Sequence, residues 1–253
     1  MFLKYFKHQT HAACRSMLPL LGGLLVMAIL ARGSIWLMSA TASSAVRTIS
    51  ILLLLTFFFG CLIAVIATMI LMMSRFKKSL YSDEGYLTHT LPIGLNTILF
   101  SHLLISFLAV VASFATVYLG FRIVVLGVDS IAQLGNFVQR LLDSLDVETG
   151  SMLLQALSMT ALSILSWILL LWASVAIGYS FDNGKSGKSV ASFFVLYFAQ
   201  QIISAIILSL FPGVAEGDAV QTYLWVSIGE YLFFCAVNFG LTWYMTTKRL
   251  NLA

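Results

Sequence analysis

Charged side chains are scarce in this chain. They make up 9% of its 253 residues, whereas a typical soluble domain carries about 25%. Hydrophobic residues make up 60%, so too little polar surface remains for a globular domain in water. The apolar residues also fall into blocks of about 20 or more, the length that an α-helix needs to cross a hydrocarbon core about 30 Å thick. The composition therefore predicts a helical protein with several membrane spans.

Cysteine and histidine are also few, with three and four residues. The cysteines are odd in number and far apart, which indicates neither a disulfide framework nor a metal cluster. The run from Asp182 to Ser189 ends in Gly-Lys-Ser, but a phosphate-binding loop needs a glycine where Asp182 stands and a strand before it. We therefore expect no catalytic residue, no metal site and no cofactor in this chain.

The net charge is +4, and its placement favours a membrane over nucleic acid, because the cations stand at the ends of apolar blocks. Ten of the fourteen Lys and Arg residues fall on one side of the predicted membrane. These ten are Lys4, Lys7, Arg15, Arg75, Lys77, Lys78, Lys185, Lys188, Lys248 and Arg249. The excess of Lys and Arg on cytoplasmic faces predicts that this side is cytoplasmic, together with both termini.

The fold predicted from these patterns is all-α, a polytopic membrane protein whose single domain covers residues 1–253. Six apolar blocks give the transmembrane helices, at about residues 17–38, 49–73, 98–121, 152–177, 190–211 and 223–244, by the length criterion for a helical span. Phe2, Tyr5 and Phe6 alternate with lysines at helical spacing, which predicts an amphipathic helix at the N-terminus. A second amphipathic helix, on the external side, is predicted between spans three and four, over residues 131–145.

Polar groups within the predicted spans are candidate pathway or interface residues, because an unpaired ionisable group in hydrocarbon costs several kcal/mol. Glu230 lies about seven residues, or about 10 Å, into the sixth span. Arg32 on the first span and Arg122 on the third lie at a comparable depth. We therefore expect that Glu230 either forms a structural ion pair with one of these arginines or lines a substrate path. Gln200 and Gln201, near the middle of the fifth span, predict a subunit interface or a translocation path.

The segment from Arg75 to Pro92 holds most of the charge between the second and third spans. Leu80, Glu84, Leu87 and Leu91 fall on one helical stripe, Ser82 can cap a helix start and Pro92 can end it. The pattern predicts a short cytoplasmic helix with one face for a partner. The alternative is an interfacial helix anchored by aromatic residues, without a partner.

Within it, the run YSDEGYLTHTLP from Tyr81 to Pro92 resembles a segment in the permease subunits of bacterial ABC-2 type exporters, particularly those of Firmicutes, where Ser-Asp-Glu-Gly-Tyr-Leu leads into Thr-Leu-Pro. His89 departs from the apolar or aromatic residue expected there. The resemblance implies a coupling helix that contacts a separate ATP-binding subunit. Its contact residues would be Ser82, Asp83, Glu84, Gly85, Tyr86, Leu87 and Leu91.

The resemblance further implies that two permease subunits form the pathway in the bacterial cell membrane, and that ATP and Mg²⁺ are bound by the partner rather than by this chain. The chain itself would then not be an enzyme. Export of antimicrobial peptides, or protection against them, is a common assignment among similar permeases. Two alternatives stay open: a secondary transporter or vitamin-binding membrane component, and a non-transporting scaffold or immunity protein.

Overall fold

The computed structural model describes residues 2–40, 43–81, 85, 94–126, 147–181, 183–211 and 219–248. These ranges contain long α-helices, and they contain no strand. The helices are α1 (Phe2–Ala40), α2 (Ser44–Tyr81), α3 (Leu95–Leu126), α4 (Val147–Gly178), α5 (Lys185–Ser209) and α6 (Ala219–Lys248).

All six helices are long and apolar enough to cross a membrane, which confirms, for the described residues, the prediction of an all-helical fold with six helices able to span a membrane. The helices extend past the predicted spans at most of their ends. The N-terminal amphipathic stretch is continuous with α1, which contains Pro19, and its location at the membrane interface stays a prediction. The external helix predicted over residues 131–145 lies outside the described residues, as does most of the segment after Tyr81.

The helices form two compact units, and α2 and α3 contribute residues to both. The first unit contains Leu3–Met72 and Leu108–Leu145. Small side chains bring its helices together: Ala28 and Ala31 of α1 and Cys61 and Ala64 of α2 are buried in one cluster with Phe57. Close backbone approach at small residues is the usual means of packing helices in a membrane. The buried Cys61 thus serves as a small apolar filler.

The second unit contains Met73–Phe107 and Asp146–Ala253. Its core includes buried residues of α4, among them Trp172, Ala173 and Val175. The turn between α4 and α5 is tight, because a Cβ atom added at Gly178 would collide with Ser189 of α5.

Gly184 precedes α5 with a φ of 70°, a left-handed conformation that glycine adopts without steric cost. Helix α5 therefore begins at Lys185, five residues before the predicted start of the fifth span. The Gly-Lys-Ser sequence that resembles a phosphate-binding loop lies in the first turns of this helix.

Candidate functional site

A cavity of about 360 Å³ lies among α4, α5 and α6 of the second unit. Hydroxyl, amide and carboxyl groups line it, together with several aromatic rings. The polar lining includes Ser166, Gln200, Gln201, Ser204, Ser227 and Glu230. The aromatic lining consists of Trp167, Tyr197, Tyr223, Tyr231 and Phe234. A volume of this size is within the range of small-molecule sites, about 300–1,000 Å³.

Two hydrogen bonds between side chains join α5 to α6 beside this cavity. Gln200 donates through Nε2 to Oδ1 of Asn238 over 3.0 Å. One turn further along α5, the hydroxyl of Ser204 donates to Oε1 of Glu230. Their partners on α6, Asn238 and Glu230, are two turns apart and occur in the reverse order, as expected for two antiparallel helices. We call these four residues, Gln200, Ser204, Glu230 and Asn238, the polar seam.

The polar seam matters for α5 because apolar burial contributes little there. None of the 18-residue apolar window of α5 is buried, and the buried residue of this helix is Ser189, at its start. Hydrogen bonds between helices in a membrane contribute about 0.6 kcal/mol on average and up to about 1.7 kcal/mol. Helix α5 packs mainly on α4, and the seam adds the specific polar contacts that join α5 to α6 beside the cavity.

Three of the four residues predicted from the spans are brought together here. Gln200 and Glu230 are half-buried and Gln201 is exposed, and all three line the cavity. Arg32 belongs to the first unit, where its Nη1 donates to the backbone oxygen of Val124 over 3.3 Å. The predicted pairing of Glu230 with Arg32 or Arg122 stays a prediction, because these arginines belong to the first unit and Glu230 to the second.

Sequence reasoning missed Ser204 and Asn238, the two seam partners. The available signal was their spacing, four residues after Gln200 and eight after Glu230, which places each on the same helical face as a residue already singled out. Asn238 is completely buried, so a partner for its amide was to be expected.

A second group of interest lies at the end of α2, immediately before the predicted contact residues. The ring of Phe76 stacks on Trp172 of α4, with centroids 4.1 Å apart and planes at 2°. The Tyr81 ring contacts Phe76 and also Tyr179, with centroids 5.9 and 5.6 Å apart respectively. His102 of α3 contacts Phe76 and lies within hydrogen-bond distance of Ser79, with Nε2 3.1 Å from its hydroxyl oxygen. We call Phe76, Tyr81, His102, Trp172 and Tyr179 the aromatic base.

A hydrogen bond extends the aromatic base to α6, because the hydroxyl oxygens of Tyr81 and Thr246 are 2.6 Å apart. Tyr81 is buried, and the residue after it is Ser82, the first of the predicted contact residues. The end of α2 is thereby fixed to both α4 and α6, two of the three helices that line the cavity.

Gly85 is the one predicted contact residue that the structure describes. It is helical and buried, and a Cβ atom added to it would stand 2.6 Å from the backbone oxygen of Leu80. This close approach requires glycine or a shift of the backbone. Ser82, Asp83, Glu84, Tyr86, Leu87 and Leu91 lie outside the described residues, and their contact with a partner stays a prediction.

The fold and the site define a class: a helical chain with six membrane-spanning candidates and a polar, aromatic-lined cavity in one of its two units. Comparisons with protein-family models, with curated proteins and with solved structures give no match.

Proposed function

We propose that this chain is the permease subunit of an ATP-driven exporter of the ABC-2 type in a bacterial cell membrane, with both termini in the cytoplasm. It works with a second permease subunit, and the segment from Ser82 to Leu91 docks on a separate ATP-binding subunit. The aromatic base is the observation that carries the proposal. Residues that lead directly into the docking segment are packed against the helices that line the cavity.

This packing supplies a physical route from the partner to the cavity. Close-packed side chains transmit a displacement because the protein interior has low compressibility. When the ATP-binding subunits close, movement of the docking segment displaces Tyr81 and Phe76. These residues carry α6 and α4 with them through Thr246 and Trp172. The walls of the cavity shift as a result, which opens or closes it to one side of the membrane.

The work is divided between the subunits. The ATP-binding partner holds ATP and Mg²⁺ and hydrolyses the nucleotide, whereas this chain binds the substrate and changes shape. Gln200, Gln201 and Glu230 line the substrate path in this proposal. The polar seam keeps them in register with one another.

The test of the docking segment uses Glu84→Ala and Leu87→Asp, purified in mild detergent from cells that contain the partner. We expect both variants to fold normally but to lose the P-loop ATPase that co-purifies with the parent chain, together with transport-coupled ATP hydrolysis. Ser186→Asp is the matched control. Ser186 is exposed in the first turn of α5 and is predicted to lie on the same side of the membrane as the docking segment. Co-purification and coupling that are unchanged in Glu84→Ala and Leu87→Asp would remove this docking site.

A secondary transporter or vitamin-binding membrane component is the second candidate, and the cavity with its polar and aromatic lining is the observation that favours it. Such a protein binds its substrate without an ATP-binding subunit. Uptake or export driven by an ion gradient in vesicles that contain this chain alone would support it over the exporter. A scaffold or immunity protein would show neither coupled transport nor dependence on the cavity residues.

A further inference from the structure

We propose that the cavity among α4, α5 and α6 is a binding site for an organic ammonium group. The charge of the cavity lining favours a cation. Glu230 is the sole charged side chain among the residues that line the cavity in the described part of the chain. Its hydrogen-bond donor is the neutral hydroxyl of Ser204. A carboxylate held within a membrane helix bundle is stabilised by a cation or by water in a cavity, so the site selects positive charge.

The aromatic lining of the cavity also suits an ammonium group. Five aromatic side chains line the cavity, and two of them, Trp167 and Tyr197, are in contact with centroids 5.7 Å apart. The faces of such rings attract ammonium groups within about 6 Å of the centroid. Carboxylate and rings together are the combination that recognises an amine on an apolar body.

Three other classes of ligand fit less well. An anion would meet no lysine or arginine in the described lining, and would be repelled by Glu230. A wholly apolar ligand would leave Gln200, Ser227 and Glu230 without water, which is costly for polar groups. A divalent metal ion such as Ca²⁺ takes about 6–8 oxygen ligands, and much of this lining is aromatic.

The acceptor groups set the orientation of the ligand. Gln200 uses its Nε2 for Asn238, which leaves the Oε1 carbonyl oxygen as an acceptor beside the cavity. The polar seam thus supplies the carboxylate of Glu230 and the amide oxygen of Gln200 to one cavity. The ammonium group belongs near Glu230, and the apolar remainder of the ligand belongs against Trp167 and Tyr197.

As a statement about what is transported, this inference rests on the proposed exporter, but binding itself does not. The experiment therefore uses the full chain alone, in nanodiscs of phosphatidylcholine, with no ATP-binding partner. Equilibrium dialysis with labelled benzyltrimethylammonium measures affinity, and phenylmethanesulfonate is the anion with the same benzyl group. We expect saturable binding of the cation and none of the anion. Equal binding of both, or equal displacement of the cation by sodium chloride and by tetraethylammonium, would overturn the proposal.

Two substitutions at one position separate charge from shape. Glu230→Gln keeps the size and the hydrogen-bonding capacity toward Ser204, and we expect it to weaken cation binding by about tenfold or more, as loss of a near charge predicts. Glu230→Asp keeps the charge and should retain most of the affinity. Unchanged affinity in Glu230→Gln, with the chain still monodisperse, would overturn the proposal.

A further arm identifies the source of the ammonium group. Displacement of the probe by a lysine-containing apolar peptide, but not by the same peptide with acetylated lysines, supports the site with a peptide as its natural ligand. Displacement by small ammonium compounds alone supports it with a free small molecule. Displacement by the acetylated peptide to the same extent would overturn the proposal, because charge would then not be recognised.

Discussion

At the scale of single residues, the hydrogen-bond partner of a polar side chain, rather than its residue type, shows whether it serves only its own helix or joins two helices. Many hydroxyls in these helices bond to their own backbone: Thr68 donates to Ala64 and Thr116 to Ala112, each over 2.8 Å. Such local bonds satisfy a hydroxyl without any neighbour. Ser204 instead donates to Glu230 on another helix. The sequence therefore singles out Gln200 and Glu230, whose polar groups need outside partners, but does not distinguish Ser204 from the other serines.

Trp172 provides a prediction at this scale. It is 1% exposed and stacks on Phe76, so Trp172→Ala leaves a large void and removes the ring contact. Truncation of a buried tryptophan costs about 3–5 kcal/mol, and we expect a clearly lower thermal unfolding midpoint in detergent. Trp225→Ala is the matched control, because Trp225 is 59% exposed and should leave the midpoint nearly unchanged. A similar small shift for both variants would contradict the central role given to the aromatic base.

At the scale of helices, the number of helices was easier to predict from the sequence than the residues at which they begin and end. Long apolar blocks identify six spans because crossing hydrocarbon demands length and apolar composition. The boundaries depend on local geometry that hydropathy does not contain. α2 continues through Arg75 to Tyr81, because Phe76 packs on Trp172 and Tyr81 forms a hydrogen bond with Thr246. α5 begins at Lys185 because Gly184 adopts a left-handed conformation there.

Which helix faces meet was not predictable from the apolar pattern. In a water-soluble protein, an apolar stripe marks the buried face, but a span is apolar on all sides and gives no such stripe. α5 illustrates the difficulty, because most of its apolar residues are exposed while two polar residues, Gln200 and Ser204, bond to α6. The seam could be foreseen only in part, from Gln200 and Glu230.

The seam gives a prediction at the helix scale. In a double-mutant cycle, Gln200→Leu and Asn238→Leu should show a coupling energy of about 0.6 kcal/mol, with about 1.7 kcal/mol as the upper bound for such bonds. The coupling follows from the bond between these side chains. Reversible unfolding in detergent, followed by tryptophan fluorescence, provides the free energies of unfolding.

In the control cycle, the neighbouring residue Gln201 is mutated instead of Gln200. Gln201 is exposed and lies on a different face of α5, about 100° away for an ideal helix. Gln201→Leu and Asn238→Leu should therefore be additive within error. Additivity in both cycles would show that the Gln200 to Asn238 bond contributes nothing specific to the position of α5.

At the scale of the whole molecule, the distribution of charge decides the orientation in the membrane. In the topology predicted from the sequence, most cations fall on one side of the membrane, among them Arg75, Lys185 and Lys248. The same side holds the aromatic base and the predicted docking segment. Orientation and docking are therefore linked, since the segment can reach a cytoplasmic ATP-binding subunit only if this side faces the cytoplasm.

Labelling of single cysteines tests this orientation. The free cysteines Cys14, Cys61 and Cys235 are first replaced by alanine, a change that preserves small-residue packing at the buried Cys61. A new cysteine is then placed at Ser186, at the start of α5, or at Ser144, in the sequence between α3 and α4. Because cytoplasmic faces carry the excess of Lys and Arg, a membrane-impermeant maleimide should label Ser144→Cys in intact cells. Ser186→Cys should react only after the membrane is permeabilised, and the reverse pattern would place the docking segment outside the cell, where no ATP-binding subunit could reach it.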